Sequence, residues 1–277
     1  MTAYLDGPMV GFDTETTGID VERDRIVTTC TVLLQPATPT WTQKVTSNLI
    51  AVDVDIPAAA EEVHGISTKF ARENGDPAPV VLDAVADQLY RAMAARIPVV
   101  GSNLAYDFTI LDRELRRHDL PTVDERLGRS LGPVIDVLVI DKWLDPYRKG
   151  KRKLTDLCEH YGIELVGAHD STVDALAAAR VAYRMGLLAR TNYRERLAQP
   201  NPPMYPAFHR LGHTGVAARY RELAGFSMAE LHDGQVVWRA EQCDSLRAHF
   251  DARGVAHDGV RGDWPMIPFA LVPDGAV

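Results

Sequence analysis

Residues 10–18 read Val-Gly-Phe-Asp-Thr-Glu-Thr-Thr-Gly, and they hold the acids best placed for chemistry. Met9, Val10 and Phe12 form an apolar lead-in and Gly18 closes the stretch, so it reads as a buried strand running into a turn. Side chains alternate across a strand, which puts Asp13 and Glu15 on the same side. Two carboxylates side by side at the end of a core strand repel each other and are costly to desolvate. No Lys or Arg precedes Arg23, so a divalent cation is the simplest partner, and all-oxygen ligands suit Mg²⁺ or Mn²⁺.

Two later stretches carry further candidates. In Gly101-Ser102-Asn103-Leu104-Ala105-Tyr106-Asp107-Phe108 a strand leads through a turn into a helix. Asp107 falls in the first turn, where the helix dipole alone would favour an acid. In His169-Asp170-Ser171-Thr172-Val173-Asp174-Ala175-Leu176, Asp170 or Ser171 is a natural N-cap and Asp174 lies in the first turn that follows. His169 stands just outside that helix, in a loop, where a side chain that titrates near neutrality is free to move a proton.

The surrounding pattern must bring these stretches together. Residues 26–34 and 41–49 read as two more strands, which with the first make an antiparallel meander. A helix from about Ala78 to Ala95 turns Val81, Val85, Leu89 and Met93 to one face. A short strand at 98–101 precedes a helix over 105–118, with Phe108, Leu111 and Leu115 inward. Residues 133–140 read as another strand, with Asp136 at its middle, where a role as a supporting acid is the less favoured reading. Helices follow at 154–161, stopped by Gly162, and at 171–186, ending at Gly186. Strands in a meander, then alternating strands and helices, imply an α/β mixed sheet with helices on its faces.

The Phe-Asp-Thr-Glu-Thr-Thr-Gly stretch resembles the first motif of the DEDD exonucleases, and the stretch around Asp107 resembles their second. His169-x-x-x-x-Asp174 resembles the third motif of the histidine-type, DnaQ-like (DEDDh) subgroup, which includes the epsilon proofreading subunit of bacterial replicative DNA polymerase and ribonuclease T. The tyrosine-type subgroup would place a Tyr near this Asp, but Thr172 and Val173 stand there. The resemblance covers residues 9 to about 187 and implies a ribonuclease-H-like fold. It implies a 3′–5′ exonuclease that hydrolyses single-stranded DNA ends to nucleoside monophosphates. An exoribonuclease on RNA 3′ ends, or a non-catalytic nucleic-acid-binding module, are the alternatives. By the same resemblance Asp13, Glu15, Asp107 and Asp174 would hold two Mg²⁺ ions, with Mn²⁺ as a substitute and Asp107 acting through water. His169 would be the general base. Thr16, Ile19, Val63 and His64 would hold the terminal nucleotide, and Asn103 would position backbone or substrate at the mouth. For His64 the blander reading is a helix-end histidine facing the dipole.

Composition sets the remaining limits. The 277 residues, 46% hydrophobic and 25% charged, are ordinary for a globular protein. A net charge of −8 argues against a generally basic nucleic-acid binder but allows a local basic groove. Tyr147-Arg-Lys-Gly-Lys-Arg-Lys153 is the candidate grip for substrate phosphates, with Tyr147 able to stack on a base. The three scattered cysteines give neither a disulfide framework nor a zinc motif. With no signal-like start and no membrane-length apolar run, a cytoplasmic protein without membrane contact is expected. Residues 199–206 carry four prolines, so the chain divides into an exonuclease domain at 1–187 and a linker with a helical C-terminal extension at 188–277. Within the extension a helix over 228–250 carries a stripe of Leu231, Trp238, Leu246 and Phe250, with Gly254 ending it. Residues 262–268 form an extended strap anchored by Trp264. The expected partners are a single-stranded DNA or RNA 3′ end and a polymerase or other replication or repair protein reached through the extension.

Overall fold

The computed structural model describes residues 6–37, 40–165, 167 and 169–270, so the outermost residues of both expected segments lie outside the described residues. Strands β1 (Met9–Thr16), β2 (Ile26–Gln35) and β3 (Thr42–Ala51) form the antiparallel meander. Two short helices, α1 (Ala58–His64) and α2 (Thr68–Asn74), precede β4 (Asp76–Pro77), which pairs parallel to β3. Helix α3 (Ala78–Ala94) then leads to β5 (Val99–Gly101), parallel to β1. Helices α4 (Leu104–Arg117) and α5 (Val123–Leu127) precede β6 (Val134–Asp136), parallel to β5. The strand order is β4-β3-β2-β1-β5-β6, so β1 lies inside a mixed six-stranded sheet of ribonuclease-H-like form.

Beyond the sheet come α6 (Val137–Leu144), α7 (Leu154–Tyr161) and α8 (Ser171–Ala189). Four more helices follow: α9 (Tyr193–Leu197), α10 (Pro206–Arg210), α11 (Thr214–Gly225) and α12 (Met228–Asp251). The two faces of β1 meet different helices. Phe12 packs its ring 5.7 Å from that of Phe108 on α4. Two residues apart from Asp13 on the other face, Gly11 lies against α8 so closely that a Cβ there would sit 2.6 Å from the Ala175 carbonyl oxygen. Any side chain at 11 would push α8 away from the strand that carries Asp13 and Glu15.

Three sequence expectations need correction. Only Val134–Asp136 of the expected 133–140 strand is extended, and Val137–Leu144 is helical. An apolar run of this length suits either state, and Asp136 decides by capping the helix, accepting the Leu138 N–H at 3.0 Å. Helix α8 continues past Gly186 to Ala189, with Gly186 buried inside it. The inward face of α12 is Leu231, Gln235, Trp238 and Cys243, whereas Leu246 is 41% exposed and Phe250 is only partly covered. The C-terminal half of that helix therefore turns much of its apolar surface outward.

The extension docks on the sheet edge through unusual means. Gln235 takes the place of a seventh strand beside β6: its Oε1 accepts the Asp136 N–H at 2.7 Å and its Nε2 donates to the Val134 carbonyl at 2.9 Å. Trp238 stacks on Trp143 of α6 with ring centres 4.1 Å apart, and Phe226 closes the cluster. The proline-rich stretch is held at Tyr205, whose ring lies under the Arg184 guanidinium at 4.7 Å. The strap is held as expected: Trp264 is buried, and the Ile267 N–H donates to Thr109 Oγ1 at 2.9 Å. Among the described residues no helix is long and apolar enough to cross a membrane.

Trp238→Ala is expected to cost about 3–5 kcal/mol in chemical denaturation, the range for deleting a buried tryptophan. Gln235→Ala strips two buried backbone groups of partners and is expected to cost about 1–3 kcal/mol. Losses below about 0.5 kcal/mol for both would mean that α12 does not hold the sheet edge.

Candidate active site

The end of β1 gathers the acids. One oxygen each from Asp13, Glu15 and Asp174 lie within 4.8 Å of one another. Asp13 and Glu15 share the face of β1 that Gly11 opens to α8, and Asp174 sits in the first turn of that helix. Asp170 caps the helix, accepting the Thr172 N–H at 2.8 Å, so it is a structural cap. Thr28 of β2 donates to Ser171 Oγ at 3.2 Å and fixes the helix start against the sheet. Asp174 Oδ2 accepts the His169 N–H at 3.2 Å, while its Oδ1 is buried with no hydrogen-bond partner.

Asp107 reaches the site from the other side of the strand. It is buried, and Thr14 Oγ1 donates to its Oδ1 at 2.7 Å. It is thus brought near the trio without belonging to the tight group. Asp136 supports it from behind: its two oxygens accept the Asn103 and Leu104 N–H groups at 3.0 and 2.9 Å, which anchors the start of α4. The same carboxylate caps α6, so Asp136 is a positioning acid at the strand's end rather than in its middle. Asn103 has left-handed backbone geometry, φ 67°, and lines the cleft.

These acids are held where ionisation is unfavourable. Burial, then the charges of Asp107, Asp174 and Glu15, drive the Asp13 carboxyl well above its ordinary value. Glu15 is pushed up to about 8 by burial and by Asp174 and Asp107. Asp107 rises to about 7, again from burial, against the Thr14 hydroxyl that lowers it. Asp174 is raised by burial too. An orphaned carboxylate oxygen and crowded acids are what a divalent cation would satisfy, so the donor set fits one.

The cleft in front of this cluster has a volume of about 790 Å³, and His169 and Asn103 line it with the acids. Thr16 Oγ1 and the Tyr106 hydroxyl meet at 2.7 Å, and both contact the Gly18 carbonyl, which shapes the turn after β1. His64 lies beside the Thr16 backbone, and burial pushes its imidazole below the ordinary value. Its Nδ1 accepts the Ile66 N–H at 3.1 Å. Ile19 and Val63, at 92% and 50% exposure, stand out on the surface and form no closed pocket with it.

The basic loop lies at the cleft, with Lys151 and Lys153 on its lining. Two of its five cations already have an internal partner, although Arg152 also lines the cleft. Arg148 and Arg152 both pair with buried Asp141, which also accepts the Tyr161 hydroxyl at 3.0 Å. Sequence reasoning missed that anchor, as it missed Tyr106, Gly11 and two cleft cations, Lys142 and Arg239. Gly11 alone left a signal, a glycine inside an apolar strand.

A mixed ribonuclease-H-like sheet thus carries clustered carboxylates at the end of its central strand, faced by an open cleft and a loop histidine. The exonuclease family (RNase_T) matches residues 10–182. The chain belongs to that family. Its relatives include the PolC-type DNA polymerase III of Lacticaseibacillus paracasei, 26% identical over 189 residues. That match covers 64% of this chain but 11% of the polymerase. The corresponding protein of Clostridium perfringens is 28% identical over 180 residues, again 64% and 11% of the two chains. Among solved structures, E. coli exonuclease I bound to a dT13 oligonucleotide superposes with a TM-score of 0.53 at 16% identity, over 70% of this chain and 46% of that one. A zinc-bound E. coli exonuclease I–single-stranded DNA complex gives 0.55 at 18% identity, over 65% and 41%. These two structural likenesses establish the fold.

The raised carboxyls set a pH dependence. A folded-state value of about 8 for Glu15, against an ordinary 4.5, means that the native chain binds more protons than the unfolded chain between those values. Stability without metal is therefore full below the lower value and falls as pH rises through the upper one. In EDTA the melting temperature should fall between about pH 5 and about pH 8, and Mg²⁺ should reverse the loss at the upper end. Glu15→Gln should raise it at high pH in EDTA by roughly 2–4 °C, the shift for about 1 kcal/mol. A lower value for that variant would contradict the electrostatic reading.

Proposed function

We propose that this protein is a divalent-metal-dependent 3′–5′ exonuclease that removes nucleoside monophosphates from single-stranded DNA ends. The observation that carries the reading is the Asp13–Glu15–Asp174 cluster, within 4.8 Å, opening on the cleft that His169 lines. Single-stranded DNA as substrate draws support from the fold shared with exonuclease I, whose structure holds a dT13 oligonucleotide. In this reading residues 1–187 are the catalytic domain and 188–277 an extension. Similarity to PolC-type polymerases supports action beside a polymerase or another replication or repair protein.

The roles follow from position. Asp13, Glu15 and Asp174 would hold the metal, with Asp107 completing the set from behind Thr14. Two Mg²⁺ ions, or Mn²⁺, would supply Lewis-acid polarisation of the scissile phosphate and a lowered pKa for the attacking water. His169 takes the proton from that water as its oxygen bonds to phosphorus. The bond from phosphorus to the 3′-oxygen of the preceding nucleotide breaks, and that oxygen takes a proton from solvent. His64, beside the Thr16 backbone, would contact the terminal nucleotide. Ile19 and Val63 would cover the terminal base from the exposed side, and the Asn103 amide would contact the strand at the mouth.

An assay with end-labelled single-stranded DNA and RNA, in Mg²⁺ and in EDTA, tests this directly. Stepwise shortening of DNA from the 3′ end in Mg²⁺ alone is expected, and no metal-dependent product from either strand would overturn it. His169→Ala should lower kcat roughly 10²–10⁴-fold with little change in oligonucleotide affinity, because a general base acts in the transition state. Unchanged kcat at neutral pH would leave His169 a structural loop residue.

A further inference from the structure

The cleft has a second charged end that the carboxylates do not explain. Lys142 enters it from α6 and Arg239 from α12, beside Asn103 and Leu138. Among the described residues neither cation forms an ion pair, and Arg239 Nε is buried without any hydrogen-bond partner. Burial, the Arg239 guanidinium and Arg152 together push the Lys142 ammonium below its ordinary value. Asp136 feels the Arg239 charge, but its oxygens are taken up by the Asn103, Leu104 and Leu138 N–H groups. Arg152 is committed to Asp141.

Two cations turned into one cleft and partly stripped of water are unfavourable unless an anion joins them. A guanidinium with free N–H groups beside an ammonium suits a tetrahedral, singly charged phosphate oxygen pair. The carboxylate end of the same cleft is the proposed place of cleavage, so a strand held there must run its neighbouring phosphates along the cleft. We propose that Lys142 and Arg239 form a subsite for an internal phosphodiester of the substrate strand, so that α12 completes the cleft from outside the exonuclease segment at 10–182. This rests on the nuclease reading above. It makes the C-terminal extension part of substrate binding, and it gives the enzyme a preference for strands over single-nucleotide esters.

The test compares the full chain with Lys142→Gln/Arg239→Gln, and with Arg239→Lys, in two arms. In the first, binding of a labelled oligothymidylate is measured against salt in Ca²⁺, which needs no turnover. The double variant should bind roughly 10–100-fold more weakly, the loss expected for charged hydrogen bonds. Its salt slope should drop by about 0.7, one phosphate contact on a single strand. Arg239→Lys keeps the charge and should recover most of the affinity. In the second arm, hydrolysis of the same oligonucleotide is compared with that of thymidine 5′-(p-nitrophenyl phosphate), which has no internal phosphodiester. The double variant should lose far more on the oligonucleotide, chiefly in KM. Wild-type affinity and slope in the double variant would overturn the subsite, and so would equal losses on both substrates. A wild-type chain that cleaves neither substrate in Mg²⁺ would instead defeat the nuclease reading, while the binding arm would still decide the subsite.

Discussion

Asp13, Glu15 and Asp174 bring oxygens within 4.8 Å of one another, and among the described residues His169 is the basic side chain whose charge acts on Asp174. Much of the surrounding structure serves to hold that unfavourable contact. Gly11 lets α8 settle on β1 at a distance no other residue would permit, which carries Asp174 to Asp13. Asp170 and Thr28 fix the start of α8, and Asp136 fixes the start of α4, so the acids cannot relax apart. The raised carboxyls, Glu15 at about 8 among them, reflect burial and mutual repulsion without a counter-ion. A structure that accepts that cost in its core is organised around a cation.

The C-terminal helices are tied into the same construction. Gln235 hydrogen-bonds the backbone of β6 on both sides of Ile135, and one of those bonds is to Asp136 itself. From α12 the path to the site is short: Gln235 holds Asp136, Asp136 holds the turn at Asn103, and that turn starts the helix bearing Asp107. Four residues beyond Gln235, Arg239 faces the cleft. The segment outside the family match thus contributes both to the frame and to the lining. On the far rim Asp141 binds Arg148 and Arg152, so the loop presents its lysines while its arginines hold it in place.

The alternation of Asp13 and Glu15, the N-cap before Asp174 and the helix start at Asp107 were legible because each is a local pattern. The meander and the later alternation of strands and helices were legible for the same reason, through periodicity and turn residues. Three things were not. The run from Val137 to Ile140 has no period that separates strand from buried helix, and the deciding contact is the cap from Asp136. The partners of Arg148 and Arg152 depend on Asp141, a buried acid whose role emerges only when α6 folds back on the loop. The inward face of α12 includes a glutamine, because a sheet edge needs hydrogen bonds as well as apolar cover. A reading that counts apolar residues chooses Leu246 and passes over Gln235.

The central claim is that the acid cluster is a cation site whose electrostatic cost is relieved by binding. Isothermal titration of the full chain with Mg²⁺ near neutral pH, repeated in buffers of different ionisation enthalpy, tests it most directly. The account predicts saturable binding accompanied by proton release, because carboxyls raised to about 8 at Glu15 and about 7 at Asp107 hold protons there until the cation expels them. It predicts that Asp13→Asn abolishes both signals. Saturable binding that persists in Asp13→Asn, or binding in wild type without proton release, would contradict it.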